Sequence, residues 1–195
     1  MRVDPEGCGA APREDAFAVI RITGGTHRGR GLPAPVPASA RPTSGRVREA
    51  LFSIVGQDLS GWSMLDACGG SGLVALEAAS RGASPVTVYE RDGAAAAAVR
   101  RNAETLGLPV TVRAADSLRS VLPEADFVFL DPPYRDDIAA WLRHVAPSAR
   151  RVLVAEARAG ASWPDLAGFE RERERAYGDT VLAVYVRRDG GDGAP

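Results

Sequence analysis

The feature that most restricts the fold of this chain is a regular alternation of short apolar runs and helical segments, which begins at Trp62. The runs are continuously apolar, as expected for parallel strands that are covered by helices on both faces. Repeated strand–helix–strand order predicts an α/β fold with a Rossmann-like, mostly parallel sheet. The last strands follow one another without a clear helix, which indicates an antiparallel hairpin at one edge. Predicted strands span 63–68, 85–90, 110–114, 126–130, 151–155 and 180–186, and predicted helices span 73–81, 93–106 and 137–145.

A smaller unit is predicted ahead of the sheet. Residues 17–22 and 28–32 have the composition of two short strands separated by a glycine pair, which predicts a β-hairpin. Apolar residues recur at helical spacing over 46–55, and Thr43 or Ser44 is the candidate N-cap. We therefore expect four parts: a disordered leader at 1–15, an extension of hairpin and helix at 16–56, the main domain at 57–188, and a disordered tail at 189–195.

Composition limits the class of protein. The 195 residues are 45% hydrophobic and 25% charged, which is typical of a soluble domain with its own core. No apolar run approaches the roughly 18 residues needed to span a bilayer, and residues 1–15 lack the apolar stretch of a signal peptide, so we expect a cytoplasmic protein. Cys8 and Cys68 do not indicate a disulfide framework, and the isolated His27 and His144 predict no metal site.

A glycine-rich loop follows the first strand of the main domain, in the order Gly69-Gly70-Ser71-Gly72. Glycines allow a ligand to approach the backbone at the carboxyl edge of an α/β sheet. Glu90 ends the next strand, where its carboxylate can accept hydrogen bonds from two ribose hydroxyls. The dinucleotide fingerprint requires a glycine where this chain has Ala75, and Asp66 is unfavourable beside a pyrophosphate. A carboxylate at this position suits the amino group of a methionine moiety, so the loop favours S-adenosylmethionine over NAD. The remaining alternative is a strand–turn–helix that binds no ligand.

Further cofactor contacts are expected beside the loop and after the third strand. Asp116 is a candidate acceptor for the adenine amino group, although a role as the cap of a helix or turn explains the same residue. The full set of candidate cofactor-binding residues is Asp66, Cys68, Gly70, Gly72, Glu90, Arg91, Asp116 and Ser117.

The fourth strand ends in Asp131-Pro132-Pro133-Tyr134, and this tetrapeptide is the candidate catalytic group. Two consecutive prolines form a stiff turn that can hold a main-chain carbonyl in a defined direction. An exocyclic amine on an aromatic ring is a poor nucleophile because its lone pair is delocalised. Hydrogen bonds from the amine to Asp131 and to the Pro132 carbonyl favour a pyramidal nitrogen, and Tyr134 offers a stacking surface for a flipped base. Methyl transfer by these residues relies on positioning and polarisation and needs no strong general base.

The N-terminal third of the chain is locally basic. The segment 21–48 contains six arginines, and no acidic residue occurs in it before Glu49. The net charge of −1 argues against a wholly basic surface, but a local patch of this kind still suits nucleic acid. Candidate nucleic-acid contacts are Arg28, Arg30, Arg41, Thr43, Arg46 and Arg48, and the family resemblance described below implies that the nucleic acid is RNA.

Near the end of the main domain, glutamate and arginine alternate over 170–175. This pattern predicts a solvated edge strand with the glutamates on one face and the arginines on the other.

Several of these motifs occur together in one known family. The most specific stretch is Arg41-Pro-Thr43 followed by Arg46-Val-Arg-Glu-Ala-Leu-Phe52. With it, over about residues 19–187, the chain resembles the RsmD family of bacterial enzymes that methylate N2 of a guanine in 16S rRNA. The chain departs from the family at Cys68 and Gly69, where an aromatic residue and an alanine are usual. The other shared residues are Arg21-Ile-Thr-Gly-Gly25, Arg28-Gly-Arg30, Leu65-Asp66, Gly70-Ser-Gly72, Leu76-Glu-Ala78, Ser80-Arg-Gly-Ala83 and Asp131–Tyr134.

The resemblance implies a class I methyltransferase that uses S-adenosylmethionine. It implies catalysis at Asp131–Tyr134, RNA contacts from the N-terminal arginines, and a substrate presented on the assembling 30S ribosomal subunit. We expect a monomer, since no surplus of apolar surface is evident. The resemblance also implies cofactor contacts at Asp66, Gly70, Gly72, Glu90 and Asp116.

Other functions remain compatible with the residues. A DNA adenine-N6 methyltransferase would use the same tetrapeptide on a different amine, but such enzymes normally carry a target-recognition domain. A methyltransferase of a protein amide or a small molecule is a second alternative. A third is a non-catalytic RNA-binding or ribosome-assembly module that retains the fold.

Overall fold

The computed structural model describes residues 19–33 and 43–188. The predicted leader and tail, Cys8 and the candidate RNA contact Arg41 lie outside the described residues. The strands are β1 (Val19–Arg21), β2 (Gly31–Pro33), β3 (Met64–Asp66), β4 (Val86–Tyr89), β5 (Val110–Arg113), β6 (Ala125–Leu130), β7 (Ala149–Arg158), β8 (Phe169–Tyr177) and β9 (Thr180–Arg187). The helices are α1 (Gly45–Val55), α2 (Leu73–Ser80), α3 (Gly93–Leu106) and α4 (Ile138–Val145), with short 3₁₀ turns at Ser117–Arg119 and Ala146–Ser148.

Seven strands form the main sheet in the order β5-β4-β3-β6-β7-β9-β8. The five strands from β5 to β7 are parallel, whereas β9 is antiparallel to both β7 and β8. The predicted Rossmann-like sheet with an antiparallel edge hairpin is therefore confirmed. Chain order reverses between β3 and β6, and an open α/β sheet binds its ligands in the crevice at such a reversal.

The predicted N-terminal hairpin is present as the antiparallel pair β1 and β2, in which Ile20 lies opposite Leu32. Leu32 is buried, and it packs with Ile22 against Leu73, Leu76 and Leu106 of α2 and α3. The hairpin is thus attached to the main domain through an apolar contact.

Helix α1 is part of the core that covers the sheet. Ser44 is its N-cap, with a side chain that accepts a hydrogen bond from the Val47 N–H over 3.3 Å. Leu51 and Phe52 are fully buried in the cluster that contains Phe127 of β6. The amphipathic spacing of the helix therefore buries one face in the same core as the sheet. Among the helices of the described ranges, none has the length and apolarity needed to cross a membrane.

The predicted edge strand is present as β8, which pairs only with β9 among the described strands. The predicted separation of charges onto two faces is wrong, because the register shifts between Arg171 and Arg173. As a result Arg171 and Glu174 lie on one face, where the guanidinium contacts the carboxylate over 3.2 Å. A bulge of this kind adds one residue to a strand and so reverses the faces of the residues that follow it.

Candidate active site

The candidate site is a cavity of about 720 Å³ at the carboxyl ends of the parallel strands, beside the reversal of chain order. Residues that follow β3, β4, β5 and β6 line it, because parallel strands bring their carboxyl ends to one edge. A volume of this size is typical of cofactor sites. The predicted cofactor contact Gly72 is not part of the lining, because its missing Cβ position is next to Val99 of α3. The lining includes the predicted residues Asp66, Cys68, Gly70, Glu90, Arg91, Asp116, Ser117 and all four members of the tetrapeptide Asp131–Tyr134.

The glycine loop is held against the end of β4. The N–H of Gly70 donates to the Oε2 atom of Glu90 over 2.7 Å, and the N–H of Asp92 donates to the Oε1 atom of Glu90 over 2.7 Å. Gly70 and Gly72 have φ angles of 51° and 73°, in the left-handed region that favours glycine. Glu90 therefore fixes the loops that follow two strands, in addition to facing the cavity.

Gly69 and Gly72 are also required by their surroundings. A Cβ atom added to Gly69 would lie 2.3 Å from the Cγ1 atom of Val88, and one added to Gly72 would lie 2.5 Å from the Cγ1 atom of Val99. The departure from the family at Gly69 thus has a physical reason, because the branched Val88 occupies the space of an alanine methyl.

Asp66 is a buried carboxylate at the floor of the cavity, with 1% of its surface exposed. Burial raises the pKa of Asp66 to about 7, the Cys68 N–H lowers it, and the charge of Glu90 raises it. The hydrogen bond from the Cys68 N–H measures 3.3 Å. Burial, with the charges of Asp66 and Asp131, also raises the pKa of the Cys68 thiol well above its usual range. The thiol is therefore protonated at neutral pH, and the carboxylate is suited to a cationic ligand.

The tetrapeptide starts directly after β6. Burial raises the pKa of Asp131 well above its usual range, and the charges of Glu156 and Asp66 raise it further. Among the described residues, none donates a hydrogen bond to the Asp131 carboxylate. Tyr134 is 47% exposed, and the guanidinium carbon of Arg158 lies 5.9 Å from the centre of its ring. The turn therefore presents a half-buried acceptor beside an exposed aromatic surface.

The predicted adenine contacts after β5 have structural roles as well. Asp116 accepts a hydrogen bond from the Leu118 N–H over 3.0 Å, which caps the short turn as the alternative interpretation required. The Ser117 hydroxyl donates to the Ala67 carbonyl over 2.6 Å, and the Ser117 carbonyl contacts Nε2 of His144 over 2.8 Å. Ser117 thus joins the end of β5 to the loop after β3, and its hydroxyl is already used within the protein.

The candidate RNA contacts divide into two groups. Arg28, Arg30 and Arg46 are exposed and Thr43 lines the cavity, as a role toward a bound RNA requires. Arg48 does not fit the prediction, because only 4% of it is exposed. Its guanidinium donates to the carbonyls of Arg21 and Thr43 and to the carboxylate of Glu77. The RNA contact predicted for Arg48 is therefore wrong in this structure: the side chain is a buried link between segments.

Sequence analysis missed Glu156, which is buried in β7 with 4% of its surface exposed. Burial raises the pKa of Glu156 to about 7, and the Thr43 hydroxyl lowers it. Glu156 directly follows an apolar run in the sequence. An acidic residue in that position is rarely buried, so it is a signal that the sequence could have supplied. Its proximity to Asp131 depends on strand register, which the sequence does not state.

Comparison with known proteins gives consistent results. The family model described as Conserved hypothetical protein 95 matches residues 20–186. The Ribosomal RNA small subunit methyltransferase D of Escherichia coli is 31% identical over 196 residues, which cover 93% of this chain and 96% of that protein. The protein of the same name from Haemophilus influenzae is 35% identical over 133 residues, which cover 64% of this chain and 69% of that protein.

The fold is also shared with solved structures. A methyltransferase-type structure from Escherichia coli has 30% sequence identity to this chain and a TM-score of 0.75. The superposition covers 87% of this chain and 98% of that one.

Proposed function

This chain belongs to the family described as Conserved hypothetical protein 95, and we propose on that premise that it methylates the exocyclic N2 of a guanine in 16S rRNA. S-adenosylmethionine-dependent methyl transfer to ribosomal RNA is the activity of the family, as the resemblance and the names of the relatives indicate. The choice of guanine N2 and the roles of single residues are the finer part of the proposal.

One observation carries the chemical part of the proposal. The Asp131 carboxylate is half-buried at the reversal of chain order, it lines the cavity, and no described residue donates a hydrogen bond to it. An acceptor that is partly withdrawn from water and has no donor in the protein is suited to a ligand that supplies one. The exposed ring of Tyr134 lies three residues further along the same turn. This arrangement suits a planar base whose amine is held at Asp131 while its ring stacks on Tyr134.

The cavity suits S-adenosylmethionine. Asp66 would hold its amino group, Glu90 its ribose hydroxyls and Asp116 its adenine amine, and the positive backbone angle of Gly70 allows close approach. The raised pKa of the buried Asp66 supports this assignment, since an uncompensated buried carboxylate is stabilised by a cation. When bound, the cofactor supplies a methyl group on a positively charged sulfur.

The residues of this chain prepare the amine for reaction. The Asp131 carboxylate and the Pro132 carbonyl accept hydrogen bonds from the two N–H groups of the amine. These bonds favour a pyramidal nitrogen with a directed lone pair. Tyr134 orients the ring, and the half-buried position of Asp131 limits the access of water to the acceptor. Since the pKa of Asp131 is raised, its carboxylate is also a suitable acceptor for the proton that leaves the nitrogen after transfer.

The exposed arginines give the RNA a place to bind. Arg28 and Arg30 lie on the hairpin, Arg46 lies at the start of α1, and Thr43 reaches the cavity from the same segment. Contacts of arginine with phosphate fix the position of a nucleic acid without reading its sequence. We therefore place the RNA over the hairpin and the first turn of α1, with the target base entering beside Thr43. The proposed substrate is the assembling 30S subunit, bound by a monomer.

The direct test is methyl transfer from labelled S-adenosylmethionine to undermethylated 30S particles, naked 16S rRNA and duplex DNA. We expect label in N2-methylguanine of 16S rRNA, with the 30S particle as the best substrate. Asp131→Ala should reduce the rate by about 100-fold or more, whereas Asp165→Asn, at an exposed carboxylate outside the cavity, should not. Label in DNA and not in 30S particles would contradict the proposal. Cofactor binding without transfer to any substrate would favour a non-catalytic assembly module.

A further inference from the structure

Glu156 lies directly beside the reacting end of the proposed site. In the parallel pair of β6 and β7, Phe129 is opposite Val154 and Leu130 is opposite Ala155. The next residues in the same register are Asp131 and Glu156. Neighbouring strands are about 4.8 Å apart, and residues in register on parallel strands face the same side. The two carboxyl groups therefore leave one side of the sheet next to each other, and the charge of Glu156 raises the pKa of Asp131.

The state of the Glu156 side chain is unusual. Its Oε2 atom is buried and has no hydrogen-bond partner among the described residues. No salt bridge within the described ranges includes this carboxylate. The group therefore bears the cost of burial without a cation or a full set of donors. Glu156 does not itself line the cavity, but its two neighbours in the site, Asp131 and Thr43, both do, so the free acceptor lies directly behind the cavity wall.

The chemistry of guanine matches a pair of adjacent acceptors. Its N2 amine and its N1–H are neighbouring donors on the edge of the base that a flipped nucleotide presents. Adenine differs, because its exocyclic amine is next to an N1 atom that carries a lone pair. A second carboxylate beside Asp131 would attract the guanine edge and repel the adenine edge.

We propose that Glu156 is a specificity-determining residue that accepts the N1–H of the target guanine while Asp131 accepts the N2–H. This inference rests on the proposed function and identifies the group that selects guanine over adenine. It also accounts for the free Oε2 atom, which finds its donor only when the base is bound. Thr43 holds the carboxylate from the side of the RNA-binding segment.

A base substitution in the RNA tests the inference on the wild-type protein. Once the methylated guanine is mapped by mass spectrometry, it is replaced by 2-aminopurine in a reconstituted 30S particle. This base retains the N2 amine, lacks the O6 atom, and has a lone pair in place of the N1–H. We expect kcat/KM of the wild type to fall by about 100-fold or more, since a site built for a donor rejects an analogue that lacks it. Equal rates on the two bases would overturn the inference.

Glu156→Gln provides the complementary measurement at pH 8. The glutamine carbonyl can still accept an N1–H, and its amide can donate to the N1 lone pair of 2-aminopurine. The preference for guanine should therefore fall at least tenfold (about 1.4 kcal/mol), and the rate on 2-aminopurine should rise above that of the wild type. A misfolded variant cannot show such a gain. Glu170→Gln, at an exposed glutamate of β8, is the matched control and should keep the wild-type preference.

The outcomes separate the inference from the proposed function. A wild type that methylates no guanine of 16S rRNA would overturn both. A wild type that methylates guanine and 2-aminopurine equally would overturn the inference alone. The same preference for guanine in the wild type and in an active Glu156→Gln variant would also overturn the inference alone.

Discussion

The Nε atom of Arg48 lies 3.2 Å from the Oε2 atom of Glu77, and both side chains are almost completely buried. Arg81 contacts the other oxygen of Glu77 over 2.7 Å. The same Arg48 guanidinium donates to the carbonyl of Arg21 over 2.8 Å and to that of Thr43 over 2.6 Å. One side chain thus joins the hairpin, the segment before α1 and the helix α2. The proposed RNA-binding segment is consequently held in a fixed position relative to the catalytic cavity.

Removal of Arg48 should therefore affect stability before it affects RNA binding. Arg48→Ala leaves the buried Glu77 with one cation fewer and exposes two carbonyls to an unfilled space. We expect the free energy of unfolding to fall by about 3–5 kcal/mol, as measured by urea denaturation. Arg46→Ala, two residues away on the exposed face, should change it by less than about 0.5 kcal/mol. An Arg48→Ala variant with unchanged stability and weakened RNA binding would contradict the structural role and support an RNA contact for Arg48.

The exposed arginines of the hairpin should show the opposite behaviour. Reversing the charge of Arg28 and Arg30 to glutamate should weaken binding to 30S particles and reduce its dependence on salt by about one unit of slope for each lost phosphate contact. The affinity for S-adenosylmethionine should not change, because neither side chain lines the cavity. Filter binding at several salt concentrations and calorimetry measure the two effects separately.

The control for this experiment is a second pair of charge reversals. Arg171 and Arg173 are exposed on β8, the edge strand that β7 and β9 separate from β6, and neither side chain lines the cavity. Arg171→Glu with Arg173→Glu changes the net charge by the same amount and should leave RNA binding close to that of the wild type. Equal weakening by both pairs would mean that net charge, and not the hairpin, determines affinity. Equal loss of RNA and cofactor affinity in the hairpin variant would instead indicate a structural role.

The main domain was predictable because its signals are local. Continuous apolar runs and helical spacing identify β3 to β7 and their helices, and a glycine loop or a proline pair marks where strands end. The residues expected around the cavity, from Asp66 to Tyr134, accordingly meet at one edge of the sheet, with the exception of Gly72. These residues lie close together because parallel strands have their carboxyl ends at the same edge of the sheet.

The sequence-based predictions were wrong or incomplete where the role of a residue depends on a contact between segments that are distant in the sequence. Arg48 looks like any other arginine of a basic segment until the fold places Glu77 against it, 29 residues further along the chain. Glu156 gains its neighbour Asp131 only through the register of β6 and β7. The bulge in β8 is a further example, because its position depends on pairing with β9 and not on the alternating charges.

Gly69 offers a test of the departure from the family. Gly69→Ala should destabilise the protein by about 1–3 kcal/mol, as overpacking does, because the new methyl group would meet the Val88 side chain. Val88→Ala removes that obstacle at the cost of a cavity in the core. In the double variant the alanine at position 69 should cost much less than it does alone, so a double-mutant cycle of unfolding free energies should show a favourable coupling. Additive effects would mean that the loop, and not Val88, excludes the side chain.

The buried carboxylates should make the ligand-free protein less stable as the pH rises. Burial raises the pKa of Asp66 from 3.8 to about 7, so between these values the folded state binds more protons than the unfolded state. The free energy of unfolding must then decrease with increasing pH across this window, since stability rises only where the unfolded state binds more protons. The contribution of Asp66 is complete below pH 3.8 and is lost as the pH passes 7.

Asp66→Asn should therefore reduce this pH dependence, which urea denaturation at several pH values between 4 and 8 would measure. Part of the slope should remain, because the pKa of Glu156 is also raised to about 7. Asp165→Asn, at an exposed carboxylate, should leave the slope unchanged. Saturating S-adenosylmethionine should stabilise the wild type more strongly at pH 7.5 than at pH 6, because its cationic amino group favours the charged form of Asp66. A slope that is the same in the wild type and in Asp66→Asn would exclude Asp66 as the group that titrates.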